Sequence, residues 1–305
     1  MKLVSLANVF VLLFTGSVVA TETTLDEFNY NLNQDGINNT TNAQSGVTVS
    51  IDGRDVKVGL TTWSDTGFYK YSNDYDYSER DNVVKQQQVL SGYRNNNGSI
   101  GYGLTNKDTK TVCVSTNWYG SCNSYSTRGD QHTIDNVRNE YGKQDFDMIL
   151  LSFSESVTLT SGSFSSAYHY NNTNSSKEVS VVGLSDIDKF QSGENFTWSD
   201  IALNSAIGAA TGHYSVGSQL GNYYQSEFTG LSAAKYWLVG AYNTIFDNGA
   251  SQQSDFGFKL SALGFSIDNT PDTPNTPPTQ VSEPGALALM SLGLGLVLYR
   301  RKRRV

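Results

Sequence analysis

Apolar and polar residues alternate along this chain with a period of two, in short runs. Val47-Thr48-Val49-Ser50-Ile51 alternates branched aliphatics with hydroxyls. Phe256, Phe258 and Leu260 alternate, and so do Leu263, Phe265 and Ile267. The parity changes between these two sets, which predicts a bulge or bend around Ser261-Ala262. Met148–Phe153 is a nearly continuous apolar run, and Val179-Ser180-Val181 and Tyr236-Trp237-Leu238-Val239 are of the same kind. Short runs of this type, bounded by Gly, Asn, Ser and Asp, predict antiparallel sheet and not βαβ units. Helical spacing is scarce. Val83–Leu90 fits a helical turn or a strand, and Thr197–Ala210 fits a short helix with Ser199 as N-cap ahead of Asp200. The expected fold is all-β, an antiparallel β-sandwich of jelly-roll type. No internal repeat of the solenoid or propeller kind is visible.

The two ends of the chain depart from this pattern. Met1-Lys2 is followed by an apolar run from Leu3 to Phe14, then by the small-residue segment Val18-Val19-Ala20. That order predicts a secretory signal over 1–20, cleaved between Ala20 and Thr21 by signal peptidase. All five prolines lie between Pro271 and Pro284. Residues 268–281 are otherwise Thr, Asn, Asp and a few other mostly polar residues, too polar to pack. They read as an extended stalk of about 40 Å at roughly 3.1 Å per residue. The body between signal and stalk is 21–267, and the Asn-rich stretch Asn29–Ser45 is the nearest thing to an internal linker.

After the stalk come Ser282-Glu283-Pro284-Gly285, an uncharged stretch over 285–299, and the basic tip Arg300-Arg301-Lys302-Arg303-Arg304. As a helix the 15-residue stretch spans about 22 Å. A hydrocarbon core of about 30 Å needs more, and snorkelling of the flanking cations covers the gap. The cations hold the tip in the cytoplasm, which predicts one C-terminal membrane helix with the body on the far side.

This three-part tail resembles the PEP-CTERM sorting signal read by exosortases in Gram-negative bacteria. The motif reads Ser-Glu-Pro where that signal carries Pro-Glu-Pro; Glu283, Pro284 and Gly285 match. The segment His132-Thr133-Ile134-Asp135-Asn136 ahead of Asp145–Phe153, and the segments Trp237–Ala241 and Asp255–Leu260, are similar to parts of exosortase-sorted surface proteins. The resemblance implies inner-membrane anchoring before processing, removal of the tail (282–305) by an exosortase, and delivery to the cell surface or the extracellular polysaccharide matrix. It assigns no activity to the body.

Charge excludes one class of partner. The signal and the tip remove six of the 21 basic residues, leaving 15 against 29 acidic ones, a formal charge of −14 on residues 21–283. Such a body repels nucleic acid, whose phosphates need the opposite sign.

The chain has two cysteines, Cys113 and Cys122. In an exported protein they predict a disulfide closing a small loop or hairpin, with the turn at Asn117–Gly120. Trp118 and Tyr119 sit at that turn, where they either stack on sugar rings or pack down on the sheet.

Catalytic chemistry is thin. The histidines are His132, His169 and His213. His132 and Asp135 are spaced like members of a triad, but a loop fastened to the sheet edge uses the same residues, and no Gly-x-Ser-x-Gly elbow accompanies them. Asp145, Asp147, Glu155, Asp186 and Asp188 offer carboxylate pairs, as any acidic chain does. The expectation is a non-enzyme. No motif demands a cofactor; Ca²⁺ is the side candidate, on the pairs Asp74/Asp76, Asp145/Asp147 and Asp186/Asp188. Asn31–Ile37 echoes the start of an EF-hand loop, with Gly36 at the sixth position and Asn42 in place of the bidentate Glu. The runner-up to a surface protein without enzymatic activity is a carbohydrate-binding, or carbohydrate-cleaving, module.

Overall fold

A computed structural model describes residues 25–65, 83–94, 98, 100–105, 109–129, 132–136, 146–169, 177–247 and 256–268. The signal, the stalk from residue 269 on and the sorting segment lie outside the described residues; Asp268, read as the first stalk residue, is instead the last residue of the final described strand. The body is all-β. Strand β1 (Leu25–Asn31) runs into a single helical turn, α1 (Leu32–Asp35), and β2 (Val47–Ile51) and β3 (Arg54–Ser64) form a hairpin. Its two-residue turn, Asp52-Gly53, has positive φ at both positions (48° and 83°). That is the type I′ turn whose twist matches paired strands, and Asp-Gly is one of its preferred dipeptides. Strands β4 (Lys85–Arg94) and β5 (Ile100–Thr105) pair next, followed by a second hairpin of β6 (Thr109–Thr116) and β7 (Cys122–Gly129) and a two-residue strand, β8 (Ile134–Asp135).

Strand β9 (Asp147–His169) is 23 residues long. After it come β10 (Glu178–Leu184), the helices α2 (Asp188–Ser192) and α3 (Trp198–Asn204), β11 (Ala206–Ser215), β12 (Gln219–Leu220), β13 (Tyr223–Glu227), β14 (Ala234–Ala241) and β15 (Phe256–Asp268). Residues Leu25–Asp268 form one compact unit.

Five strands close a barrel. β3 pairs β4, β4 pairs β5, β5 pairs β15, β15 pairs β9, and β9 pairs β3. Within the ring each strand is paired on both sides, so none of these five is a free edge. The sheet extends beyond the ring in order β9-β14-β10-β11 on one side, and β1 pairs β15 on the other. The predicted bulge is present: the β15–β9 register shifts between Leu260 and Ala262, so Ser261 is the extra residue. Phe256, Phe258 and Leu260 before it, and Leu263, Phe265 and Ile267 after it, all face the same core.

The apolar run 148–153 has a structural reason. In this part β9 pairs β3 on one side and β14 on the other. Ile149, Leu151 and Phe153 face the main core, with Trp237, Phe258 and Phe265. Met148 and Leu150 face a second core, with Trp63, Phe190, Trp198 and Ile201. A strand covered on both faces loses its polar alternation and becomes a solid apolar run. Beyond Phe153 the strand continues with hydroxyls between Val157, Leu159 and Phe164, and it changes partners to β15 and β13.

Three readings are settled, the first two as corrections. The helix predicted over Thr197–Ala210 spans only Trp198–Asn204, and Ala206–Ser215 is strand β11, paired with β10. Its N-cap is Thr197, not Ser199. The Thr197 hydroxyl accepts the Asp200 N–H at 3.1 Å, and the Asp200 carboxylate accepts the Thr197 N–H at 2.8 Å. This reciprocal capping box satisfies two of the helix's orphan donors, which Ser199 could not do from one turn further in. Second, Asn29–Ser45 is not a linker. Tyr30 and Leu32 are fully buried, the Tyr30 hydroxyl donates to the Gly36 carbonyl at 2.9 Å, and the Asn38 carbonyl accepts the Leu60 N–H at 3.1 Å. Polar composition hid two anchoring side chains. Third, Val83–Leu90 resolves as strand, the first part of β4 following on Val83-Val84.

Candidate functional site

The sequence offered catalytic, metal-binding and ligand-binding candidates, and their geometry separates them. Among the described residues one Ser–His pair has hydrogen-bond geometry that could suggest a nucleophile and base. Ser180 Oγ lies 2.9 Å from His213 Nδ1, across the β10–β11 ladder. The serine is fully buried, and its Oγ also accepts the Asn243 N–H at 2.7 Å. A nucleophile needs an open approach to its oxygen; this one is enclosed and already committed. His213 meets the edge of the Tyr242 ring at 5.0 Å. The Tyr242 hydroxyl donates to Asp247 at 2.6 Å, and its pKa is driven above the usual tyrosine range, first by burial and then by that carboxylate. The group ties β10, β11 and the 242–247 turn together. Ser180 and His213 are 33 residues apart, so no local motif announces them.

His132 and Asp135 form no triad in the described residues. Asp135 is buried and accepts the Thr133 hydroxyl at 2.7 Å, and its N–H reaches Asp147 Oδ2 at 3.4 Å. Asn136 accepts the Phe256 N–H at 2.8 Å and donates to the Tyr242 carbonyl at 2.8 Å. These bonds fasten residues 133–136 to β15 and to the end of β14. His132 carries an unusual φ of 60° at the entrance to this segment.

Of the calcium candidates, Asp74, Asp76 and Asp145 lie outside the described residues. Asp147 is buried at the start of β9. Asp186 accepts from the Ser185 and Ser205 hydroxyls at 2.9 and 3.2 Å and from the Asp188 N–H at 3.3 Å. Asp188 opens α2, where a carboxylate favours the helix N-terminus. Glu155 is engaged by Arg54 at 2.8 Å. Among the described residues no group of three or more His, Cys, Asp or Glu is placed to hold a metal ion. The EF-hand echo at Asn31–Ile37 is a helix cap: the Asn31 side chain accepts the Asn33 N–H at 3.0 Å, and Asp35 accepts the Asn31 N–H at 2.8 Å.

The remaining candidate is the tip of the β6–β7 hairpin. These two strands pair with each other and with no strand of the large sheet. The expected turn at Asn117–Gly120 is present. Asn117 N–H donates to the Ser121 carbonyl at 2.8 Å, and Gly120 N–H to the Asn117 carbonyl at 3.0 Å. Gly120 has φ 77°, a left-handed position that glycine adopts without strain and that completes a three-residue hairpin loop. The Asn117 carboxamide oxygen accepts two further N–H groups, those of Tyr119 at 2.9 Å and Ser121 at 3.0 Å. On this fixed backbone Trp118 is 96% exposed and Tyr119 89% exposed. Of the two readings of this pair, packing down on the sheet is excluded by that exposure.

The cysteines lie on the same hairpin, with side chains outside the described residues. The ladder sets Cys113 opposite Tyr125 and Cys122 opposite Thr116, with register shifts on either side of Ser115. The sorting residues Ser282, Glu283, Pro284 and Gly285, the basic tip and the Ala20-Thr21 junction lie outside the described residues. Among the described residues no helix is long and apolar enough to cross a membrane.

Comparisons with family models, with curated proteins and with solved structures each return no match.

Proposed function

We propose that this chain is an exported, non-enzymatic surface or matrix protein, anchored in the inner membrane by its tail until an exosortase-type enzyme removes it, and then held with extracellular polysaccharide. The observation that carries this reading is the ordered tail: Ser282-Glu283-Pro284, an uncharged stretch, and five cations in the last six residues. The signal-like start, the confinement of every proline to the stalk and tail, and the acidic body agree with it. The enclosure of Ser180 and the fastening role of Asp135 favour a passenger without catalysis. The finer architecture we assign is a jelly-roll-like β-sandwich. Its support is that antiparallel strands distant in the sheet order, β1 and β15 with β3, β10 and β14, contribute side chains to one core. A Cys113–Cys122 disulfide belongs to the same reading, since export exposes both thiols to an oxidising compartment.

The test is the mass of the mature protein from exporting cells, with and without the sorting enzyme. The expected product starts at Thr21 and ends near Glu283, and the tail persists when the enzyme is deleted. A wild-type product that keeps Arg300–Arg304 overturns the reading.

A carbohydrate-binding module is the second reading, favoured by one specific observation: two fully displayed aromatic side chains on a rigid turn.

A further inference from the structure

We infer that Trp118 and Tyr119 form a binding element for neutral polysaccharide, stacking on the apolar faces of uncharged sugar rings. The inference deepens the carbohydrate-binding reading and is independent of the sorting reading. The chain has four tryptophans, and the other three, Trp63, Trp198 and Trp237, are buried. Aromatic rings are the largest apolar groups a protein can bury, and two neighbouring ones left exposed stand out from single exposed aliphatics such as Leu203 and Leu220, which are ordinary on a surface. The turn that carries the pair is locked by four hydrogen bonds, three of them to Asn117 oxygens. A pre-set platform of rings with few rotatable bonds gives up little entropy when a ligand lands on it.

The surroundings of the pair choose between ligands. Ser115, Thr116, Ser121 and Asn123 are exposed, and Asn117 is partly so. Hydroxyls and amides at this spacing match the donor and acceptor pattern of sugar hydroxyls. No Asp, Glu, Lys or Arg occurs between Lys110 and Arg128. An acidic or sulfated polymer therefore finds no cation at the tip, and the body's charge repels it. Insertion into lipid would drag the same hydroxyls and amides out of water without partners, which costs more than it returns for groups of this type. A neutral glycan can meet both the rings and their polar rim.

The experiment reads the tip directly, because Trp118 is the single exposed indole among the four. Acrylamide quenching of tryptophan fluorescence is measured on the full-length protein with hydroxyethyl cellulose, dextran, alginate or phosphatidylcholine vesicles added. In parallel, affinity electrophoresis is run in gels containing each polymer, with wild type, W118A and W118A/Y119A. The expected result is that a neutral polymer shields Trp118 and retards the wild type, alginate does neither, and the double variant loses roughly tenfold in affinity, equivalent to about 1.4 kcal/mol. Equal retardation of the double variant overturns the tip assignment and leaves the carbohydrate reading standing. Absence of retardation by either neutral polymer overturns both. Shielding by vesicles and not by polymers makes the tip a lipid-binding element and overturns the inference. Unchanged thermal melting of both variants confirms that the loss is local.

Discussion

Strand β9 and the β6–β7 hairpin treat their large apolar residues in opposite ways. Over 148–153 every apolar side chain of β9 is enclosed, three by the main core and two by the second. At 118–119 the hairpin hands two aromatic rings to solvent. Burial explains the first without appeal to function: a two-sided strand between packed layers has no room for water. Nothing in the fold explains the second, because the turn is already fixed by Asn117 and Gly120 and gains nothing from a ring. The contrast separates residues kept for folding from residues kept for an encounter. It does so where motif searching fails, since both regions are equally free of catalytic signatures.

The comparison is broken most forcefully at β9. Phe153 is fully buried in the main core, its ring edge-on to Phe265 at 5.1 Å. Phe153→Ala is expected to cost about 3–5 kcal/mol, the range for deleting a buried aromatic ring. Chemical denaturation that finds a loss under about 1 kcal/mol would mean that β9 is not the structural centre described here. A smaller effect comes from the cap of α3, which covers the second core. The Asp200 carboxyl is held below the ordinary carboxylate range by the Thr197 N–H first and its hydroxyl second, against a small opposing desolvation. Thr197→Ala is expected to cost about 1 kcal/mol.

The pH dependence of that cap has a definite sign. The folded pKa of Asp200 is depressed, so its contribution is complete above the unfolded aspartate pKa of about 3.9 and is lost as pH falls through the folded value. Melting of wild type and Asp200→Asn should therefore converge as pH is lowered below about 4, whereas a constant gap down to pH 2 would refute the charge-based cap. The smallest effect is expected at the tip. Trp118→Ala should change stability by no more than about 0.5 kcal/mol, as for exposed positions generally. A larger loss measured by the same denaturation would show that the ring packs in solution and would erase the contrast.

Part of the fold was legible from period two. β2 alternates because one face stays wet, and β15 alternates although both faces are buried, because its second face carries Gly257, Lys259, Ser261 and Ser266; the bulge at Ser261 followed from the change of parity. The solid run at 148–153 signalled a strand but not its second core, because periodicity cannot say what covers each face. The true length of β9 was missed, since Ser, Thr and Gly dilute the signal beyond Phe153. Ring closure was also illegible: which strands meet is decided by packing between residues far apart in the chain, as in the pairing of Val58 in β3 with Phe153 in β9. At the candidate site, Asn117–Gly120 was readable as a turn from its residue types, whereas whether Trp118 and Tyr119 lie in or out depended on the absence of a neighbouring layer. The Asp-Gly turn at 52–53 was plain in the sequence and is a hairpin signal that reading by alternation passed over.

The pairing of β1 with β15 sets an order of events. β1 finds its ladder partner only in the final strand, from Leu25 opposite Asp268 to Asn31 opposite Ala262. The same strand completes the ring through β5 and β9. Growing from its N-terminus, the chain can build local hairpins early, but its first strand stays without a ladder, and the ring open, until residue 268 has emerged. Closure of the body thus waits for β15, and any truncation that reaches into β15 releases β1 and opens the ring at once.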